Sequence, residues 1–270
     1  MIATVIQSSA HVDDLNSSCV QKSKERISVK EYYEILISGV SSELKVKNIV
    51  HGISWIGAEL SDGHFGIAMN TEGDSYPRMT KSLIGLSAKE AAACVMSWNM
   101  QEASEAMAVI NAFYNTAERM RELSCCVPYE RICTCGMDIK DKTVGFIGHL
   151  KMPADTTEGA KAVHIIERSP KNGDLPDSAC EYILPECDIV IITGSASVNK
   201  TMPRLLELSE SAETIVVGPT TPLCPELLGH GISRLSGMVV RDKDELIAWM
   251  SSTAGSPYKY GDTFLCQSDN

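Results

Sequence analysis

His149, directly behind Gly148, is the one histidine placed where a strand is expected to end, which makes it the one candidate general acid or base in the chain. The strongest local signal lies further on. Thr193-Gly194-Ser195-Ala196-Ser197-Val198-Asn199-Lys200-Thr201 leads from an apolar run into a helical pattern, MPRLLELSE. Such a loop can present backbone N–H groups, hydroxyls and a helix N-terminus to one point, which suits an anionic or carbonyl-rich ligand. Asn199 or Thr201 could equally serve as the helix N-cap, with Pro203 in the first turn. Gly218-Pro219-Thr220-Thr221-Pro222 repeats the design after the next apolar run, where a rigid strand-to-helix turn is the competing reading. Glu167 stands where a ribose-binding acid sits in dinucleotide domains, and could accept two hydrogen bonds from a diol or ring N–H groups. It could instead be a solvated acid paired with Arg168 or Lys171.

These residues share a reason for being grouped. Five short apolar, β-branched segments follow one another, TVGFIG, AVHIIE, DIVIITGS, TIVVGPTTP and RLSGMVV, with a connection after each. Strands buried on both faces of a parallel sheet read as continuous apolar runs, and open parallel sheets bind ligands at the carboxyl ends of their strands. Those ends carry Gly148, His149, Glu167, Thr193, Gly194, Ser195, Gly218, Thr220 and Thr221. Gly145 and Gly148 do not complete the G-x-G-x-x-G turn of a dinucleotide site, and LKMPADTTEGAK is too short for a regular helix, so NAD(P) is disfavoured and the cofactor is left open. No nucleophile elbow, P-loop or H-E-x-x-H helix is present, so enzymatic activity stays undecided.

Upstream the pattern changes. Residues 1–28 read as a polar peripheral arm, and residues 29–44 have apolar spacing for a helix at Tyr32, Ile35, Leu36 and Val40. Residues 45–70 read as two or three strands with a turn at Ser61-Asp62-Gly63. Ser87 and Glu90 form a capping-box signature, and residues 101–123 read as one longer helix in which Asn111, a polar amide on an apolar face that needs partners, could serve the domain interface or a ligand. Trp55 and Glu59 lie on the first strand pair. The expected organisation is an N-terminal α+β domain over 1–124, a linker over 125–142, and a doubly wound parallel-sheet domain over 143–270.

The ten cysteines offer a second chemistry. Cys125, Cys126, Cys133 and Cys135 crowd the linker, but C-C and C-x-C are poorer zinc clips than two C-x-x-C pairs, so no metal ligand is assigned. With no export signal read at the start, reduced thiols in a cytoplasmic protein are the default. A net charge of −11 disfavours nucleic-acid and anionic-membrane partners, and no apolar run is long enough to span a bilayer. A small-molecule ligand and a homo-oligomer remain the partners to expect.

ISWIGAELSDGHFGIAMN, SLIGLSAKEAA, VINAFYN, ITGSASVNKT and VVGPTTPL together resemble a family of uncharacterised prokaryotic proteins catalogued as a heavy-metal-chelation domain with a small N-terminal partner domain. The resemblance runs from about Val46 to Ser252. It implies an N-terminal domain similar to the enolase N-terminal fold and a Rossmann-like C-terminal domain. Two functions follow as expectations: binding of a small polar or anionic metabolite between the domains, or heavy-metal handling. The latter would act through thiols or through an organic chelator such as a pterin- or tetrapyrrole-like ligand.

Overall fold

The computed structural model describes residues 28–71, 76–130, 134–150, 153–171 and 173–267, so the expected arm, apart from Ser28, and Cys133 lie outside the described residues. Helix α1 spans Val29–Ser38 and opens on a capping box between Ser28 and Glu31. Strands β1 (Val46–His51), β2 (Trp55–Leu60) and β3 (Phe65–Met69) form an antiparallel meander whose β2–β3 turn has Gly63 at φ 93°, the backbone expected of Asp-Gly. Helix α2 (Ala88–Ala93) carries the Ser87–Glu90 capping box, and α3 (Met100–Tyr114) follows.

The single helix expected over 101–123 is interrupted. Asn115 leaves helical geometry at φ −93° and ψ 66°, and Thr116 caps a separate helix α4 (Ala117–Glu122) by accepting the Arg119 N–H. The cause is tertiary, because the Asn115 side chain is bonded to a distant turn. The first helix is also shorter than its apolar spacing implied, stopping at Ser38 where Gly39 packs closely against Tyr114.

After α4 come β4 (Cys126–Pro128), β5 (Thr143–Ile147), β6 (Ala162–Glu167), β7 (Leu175–Pro176), α5 (Cys180–Ile183), β8 (Ile189–Thr193), α6 (Met202–Leu208), β9 (Glu213–Val217), β10 (Arg234–Val240), α7 (Lys243–Ser252) and β11 (Gly261–Gln267). All five apolar runs are strands. They form one sheet with order β4-β11-β10-β9-β8-β5-β6-β7, parallel from β7 to β10 and antiparallel at β11 and β4. Chain order reverses between β5 and β8, which is the switch point of a doubly wound sheet. The likeness to a Rossmann domain lies in strand order alone. 3-10 turns at Ala154–Thr157 and Pro225–Leu227 take the place of long helices after β5 and β9.

Two layers cover the sheet. Val190, Ile192, Val216 and Leu235 join one continuous core with α1, α3 and α6, whereas Phe146, Ile191, Ile215 and Val217 meet Cys135, Met137 and Ile139 on the other face. Residues expected as a linker therefore supply both a strand, β4, and a lid of apolar side chains on the sheet. Strand β2 is buried on both sides for a similar reason: Ile56, Ala58 and Leu60 face α3, while Trp55 belongs with Met238, Leu246 and Met250. The N-terminal meander thus wedges between its own helix and the carboxyl half of the chain. Among the described residues no helix is long and apolar enough to cross a membrane.

Candidate functional site

A cavity of about 740 Å³ opens at the carboxyl edge of the parallel sheet. Its floor is built from the ends of three strands: His149 and Leu150 beyond β5, Thr193 at the end of β8, and Val217, Gly218 and Pro219 at the end of β9. Trp55 and Met69 close it from the N-terminal meander, and Met137 and Ile139 from the segment before β5. The stretch Gly255–Tyr258 forms the far wall. Trp55 is held there by its indole N–H, which donates to the Gly255 carbonyl at 2.8 Å. Among the described residues, the charged groups lining the cavity are Glu130, Asp155 and Glu158, and no lysine or arginine lines it.

Of the strand-end residues singled out in the sequence, His149, Thr193 and Gly218 line this cavity. The others have partners elsewhere. Glu167, at the end of β6, accepts the N–H groups of His149 (2.9 Å) and Arg168 (2.7 Å), so its carboxylate fixes the turn after β5 and places His149. Gly148 makes that turn possible at φ 97°. The His149 ring in turn meets Asp174 through Nδ1, at 3.0 and 3.1 Å from the two carboxylate oxygens. The Lys171 backbone N–H, and then His149, hold the Asp174 carboxyl below its usual range.

The Thr193–Thr201 loop turns back into the protein. Ser195 Oγ pairs with Thr193 Oγ1 at 3.0 Å, and Asn199 Oδ1 accepts both the N–H and the hydroxyl of Thr201. Thr201 is the N-cap residue of α6, but its side chain makes no cap bond. Ser197 is buried beneath α1, where its Oγ meets Tyr32 Oη and its carbonyl accepts from Tyr33 Oη, both at 2.7 Å. Gly194 has a packing reason: a Cβ there would meet the Thr221 N and Oγ1 at 2.6 Å. Ser195, Asn199 and Thr220 therefore do not converge on the cavity.

Lys200 sits in this loop at φ 70° with Nζ donating to the Val198 carbonyl, and burial lowers its pKa to about 8. Its unfolded value is near 10.4. Between these two values the unfolded chain holds the proton and the folded chain does not, so stability rises with pH across that window. Wild type should accordingly gain stability relative to Lys200→Met from pH 8 to 10, as read by urea unfolding at several pH values. A difference independent of pH rejects this.

The Gly218–Leu223 turn is clamped onto the meander and α3. Thr220 Oγ1 accepts the Met69 N–H at 2.9 Å, and Asn111 Nδ2 donates to the carbonyls of Ile67 and Thr220. Asn115, one helical turn on, donates to the carbonyls of Thr221 and Met238 and accepts the Leu223 N–H. Thr221 is fully buried in this contact. Sequence reading found Asn111 and missed Asn115 and Asp174. An Asn-x-x-x-Asn pair on one apolar helix face was the available signal for the former; nothing local marked the latter.

The cysteines correct an expectation. Cys126 and Cys266, 140 residues apart, are joined by a disulfide, because the antiparallel register of β4 and β11 sets them directly opposite. The default of reduced thiols throughout does not hold. Cys126 is thereby withdrawn from any thiolate set, although Cys125 Sγ lies 3.8 Å from its sulfur. Cys135 is buried in the core on the sheet face. Among the described residues no group of three His, Cys, Asp or Glu side chains stands where it could hold a metal ion.

Comparison with known proteins places the chain. The DUF364 family model, described as "Putative heavy-metal chelation", matches residues 134–261, and the DUF4213 model, described in the same words, matches residues 33–114. The crystal structure of a DUF364 protein of unknown function from Desulfitobacterium hafniense is 35% identical, with a TM-score of 0.79 over 89% of this chain and 98% of that one. This chain belongs to the DUF364 family. A DUF364 structure from Pyrococcus horikoshii, 21% identical with a TM-score of 0.70 over 91% of this chain and 99% of the other, shows the same fold. An uncharacterized protein of Methanocaldococcus jannaschii is 29% identical over 122 residues, which span 43% of this chain and about half (47%) of that protein. The DUF364 match begins at the segment that lids the sheet and ends where β11 begins, so it contains the switch point and most of the cavity floor.

Proposed function

We propose that this DUF364 protein binds a small organic molecule, neutral or cationic and partly planar, in the cavity at the carboxyl edge of its sheet. The observation that carries this reading is the lining: Trp55, Met69, Met137 and Tyr258 offer flat or polarizable apolar surface, and among the described residues three carboxylates line it with no lysine or arginine beside them. Thr134, Thr156, Thr193 and Ser256 add hydroxyls that can orient a polar edge. An anionic ligand, suggested by the loops in the sequence, is poorly served by those carboxylates. The test is Trp55 fluorescence with two planar probes of similar size, the cation proflavine and the anion anthracene-9-carboxylate. Proflavine is expected to bind at least tenfold more tightly, a difference of about 1.4 kcal/mol. Equal binding, reversed order, or no binding overturns the reading.

The family description supports a second reading, heavy-metal handling. Since Cys126 is committed to a disulfide, the form that fits this chain is a metal carried inside an organic ligand in the cavity. Metal analysis of the purified protein, before and after solvent extraction of small molecules, checks it. Stoichiometric metal that co-extracts with an organic compound is the expected result, and metal retained on the extracted protein points to direct chelation.

A further inference from the structure

We infer that His149 and Asp174 form an acid–base dyad that moves a proton to and from the cavity's ligand. The inference rests on the proposed cavity and gives it a reaction. Asp174 has a side chain only 2% exposed, whereas the His149 ring is 39% exposed and lines the cavity. Asp174 does not line the cavity, so its carboxylate meets the ring from outside the lining. With Nδ1 facing both Asp174 oxygens, the neutral ring is held in the tautomer that carries its proton on Nδ1 and leaves the Nε2 lone pair free. Nε2 has no protein partner among the described residues. The two ends of the arrangement are pinned by backbone bonds, Glu167 Oε2 to the His149 N–H and Asp174 Oδ2 to the Lys171 N–H. An imidazole oriented by a carboxylate on its other nitrogen is the pair on which general-base catalysis commonly rests.

The surrounding charge selects the substrate class. Removing a proton from a neutral molecule would create an anion beside Glu130, Asp155 and Glu158. Removing one from an organic cation leaves a neutral product, and the same carboxylates favour the imidazolium that forms. The proton passes from a weakly acidic C–H or N–H of the cation to Nε2, the bonding pair stays on the ligand, and Asp174 remains ionised opposite His149. The proton then returns to another atom of the ligand or leaves to solvent past the exposed ring edge. No oxidant or second reactant is required. In this scheme His149 is the catalytic residue and Asp174 a positioning residue.

The experiment uses the full chain and three readouts. Long-range 1H–15N NMR on protein labelled at histidine, assigned with His149→Gln, should show the Nδ1–H tautomer for His149 and a shift toward Nε2–H in Asp174→Ala; an Nε2–H tautomer in the wild type overturns the dyad. Diethyl pyrocarbonate should modify His149 at least tenfold more slowly once proflavine is bound, with His64, which bonds Asp62 and Glu118 away from the cavity, unchanged. Proflavine that binds without protecting His149 places Nε2 outside the cavity and defeats the proposal. Deuterium exchange into the 4-methyl group of 1,4-dimethylpyridinium, a carbon acid with a neutral conjugate base, should exceed the imidazole-buffer rate at least tenfold. It should vanish in His149→Gln and fall at least tenfold in Asp174→Ala with the melting temperature held. Exchange that survives His149→Gln overturns the assignment. If proflavine fails to bind, the cavity reading falls by itself, and the tautomer and the exchange rate still decide the dyad.

Discussion

Replacing Asn115 by alanine should cost at least about 3 kcal/mol of stability, because it strands the Leu223 N–H and the carbonyls of Thr221 and Met238 in a buried contact at roughly 1–3 kcal/mol each. Asn115→Asp should cost more, since a carboxylate oxygen would then face two carbonyl oxygens in the position where the amide donates. The ordering separates this role from helix capping. A cap at the α3 terminus would lose only about 0.5–2 kcal/mol and would not distinguish the two variants so sharply. Urea unfolding with matched m-values reads the effect. Because the same turn carries Gly218 and Pro219 into the cavity wall, proflavine affinity should fall as well. Two variants with stability near wild type would show that the turn is held by other contacts.

The disulfide should be the other large contribution. Closing a chain segment of 140 residues removes denatured-state entropy worth about 5 kcal/mol in the chain-entropy model, and native disulfides typically contribute about 2–5 kcal/mol. The double variant Cys126→Ser/Cys266→Ser should therefore unfold at markedly lower urea. Wild type treated with reductant should fall to the same midpoint. The affected region is specific: β4 is held against β11 by three residue pairs, so its amides should lose exchange protection first. Thiol labelling that finds both cysteines free in the native protein would remove the basis of this expectation.

The parallel sheet was legible because a buried strand writes itself locally. Five apolar runs needed no partner to be recognised, and the capping residues Ser87 and Glu90 and the turn at Gly63 followed from side-chain and backbone preferences within a few positions. Strands β4, β7 and β11 were not read, since β4 has three residues and β7 two, and the register of β11 comes from β10. The helix break at Asn115 was hidden for a different reason. Residues 101–123 have the composition of one helix, and only the bonds to residues 221–238 reward leaving it.

Ser195, Asn199 and Thr220 could be assigned to a ligand from sequence because a loop of hydroxyls after a strand has two uses, contacting a ligand or contacting the protein. Tertiary packing decided between them: Thr193 and Gly218 line the cavity, while Ser197, Thr220 and Thr221 are buried against α1, β3 and α3. By itself the chain's order of residues determined the five apolar strands and where they end, which depend on apolar runs and turns within a few residues. The order of those strands in the sheet, which side chains line the cavity, which acid bonds His149, and which sulfurs join were decided only by the fold. Each depends on partners distant in sequence, 25 residues away for Asp174 and 140 for the two sulfurs, and a polar side chain there takes whichever partner the packing sets within bonding distance.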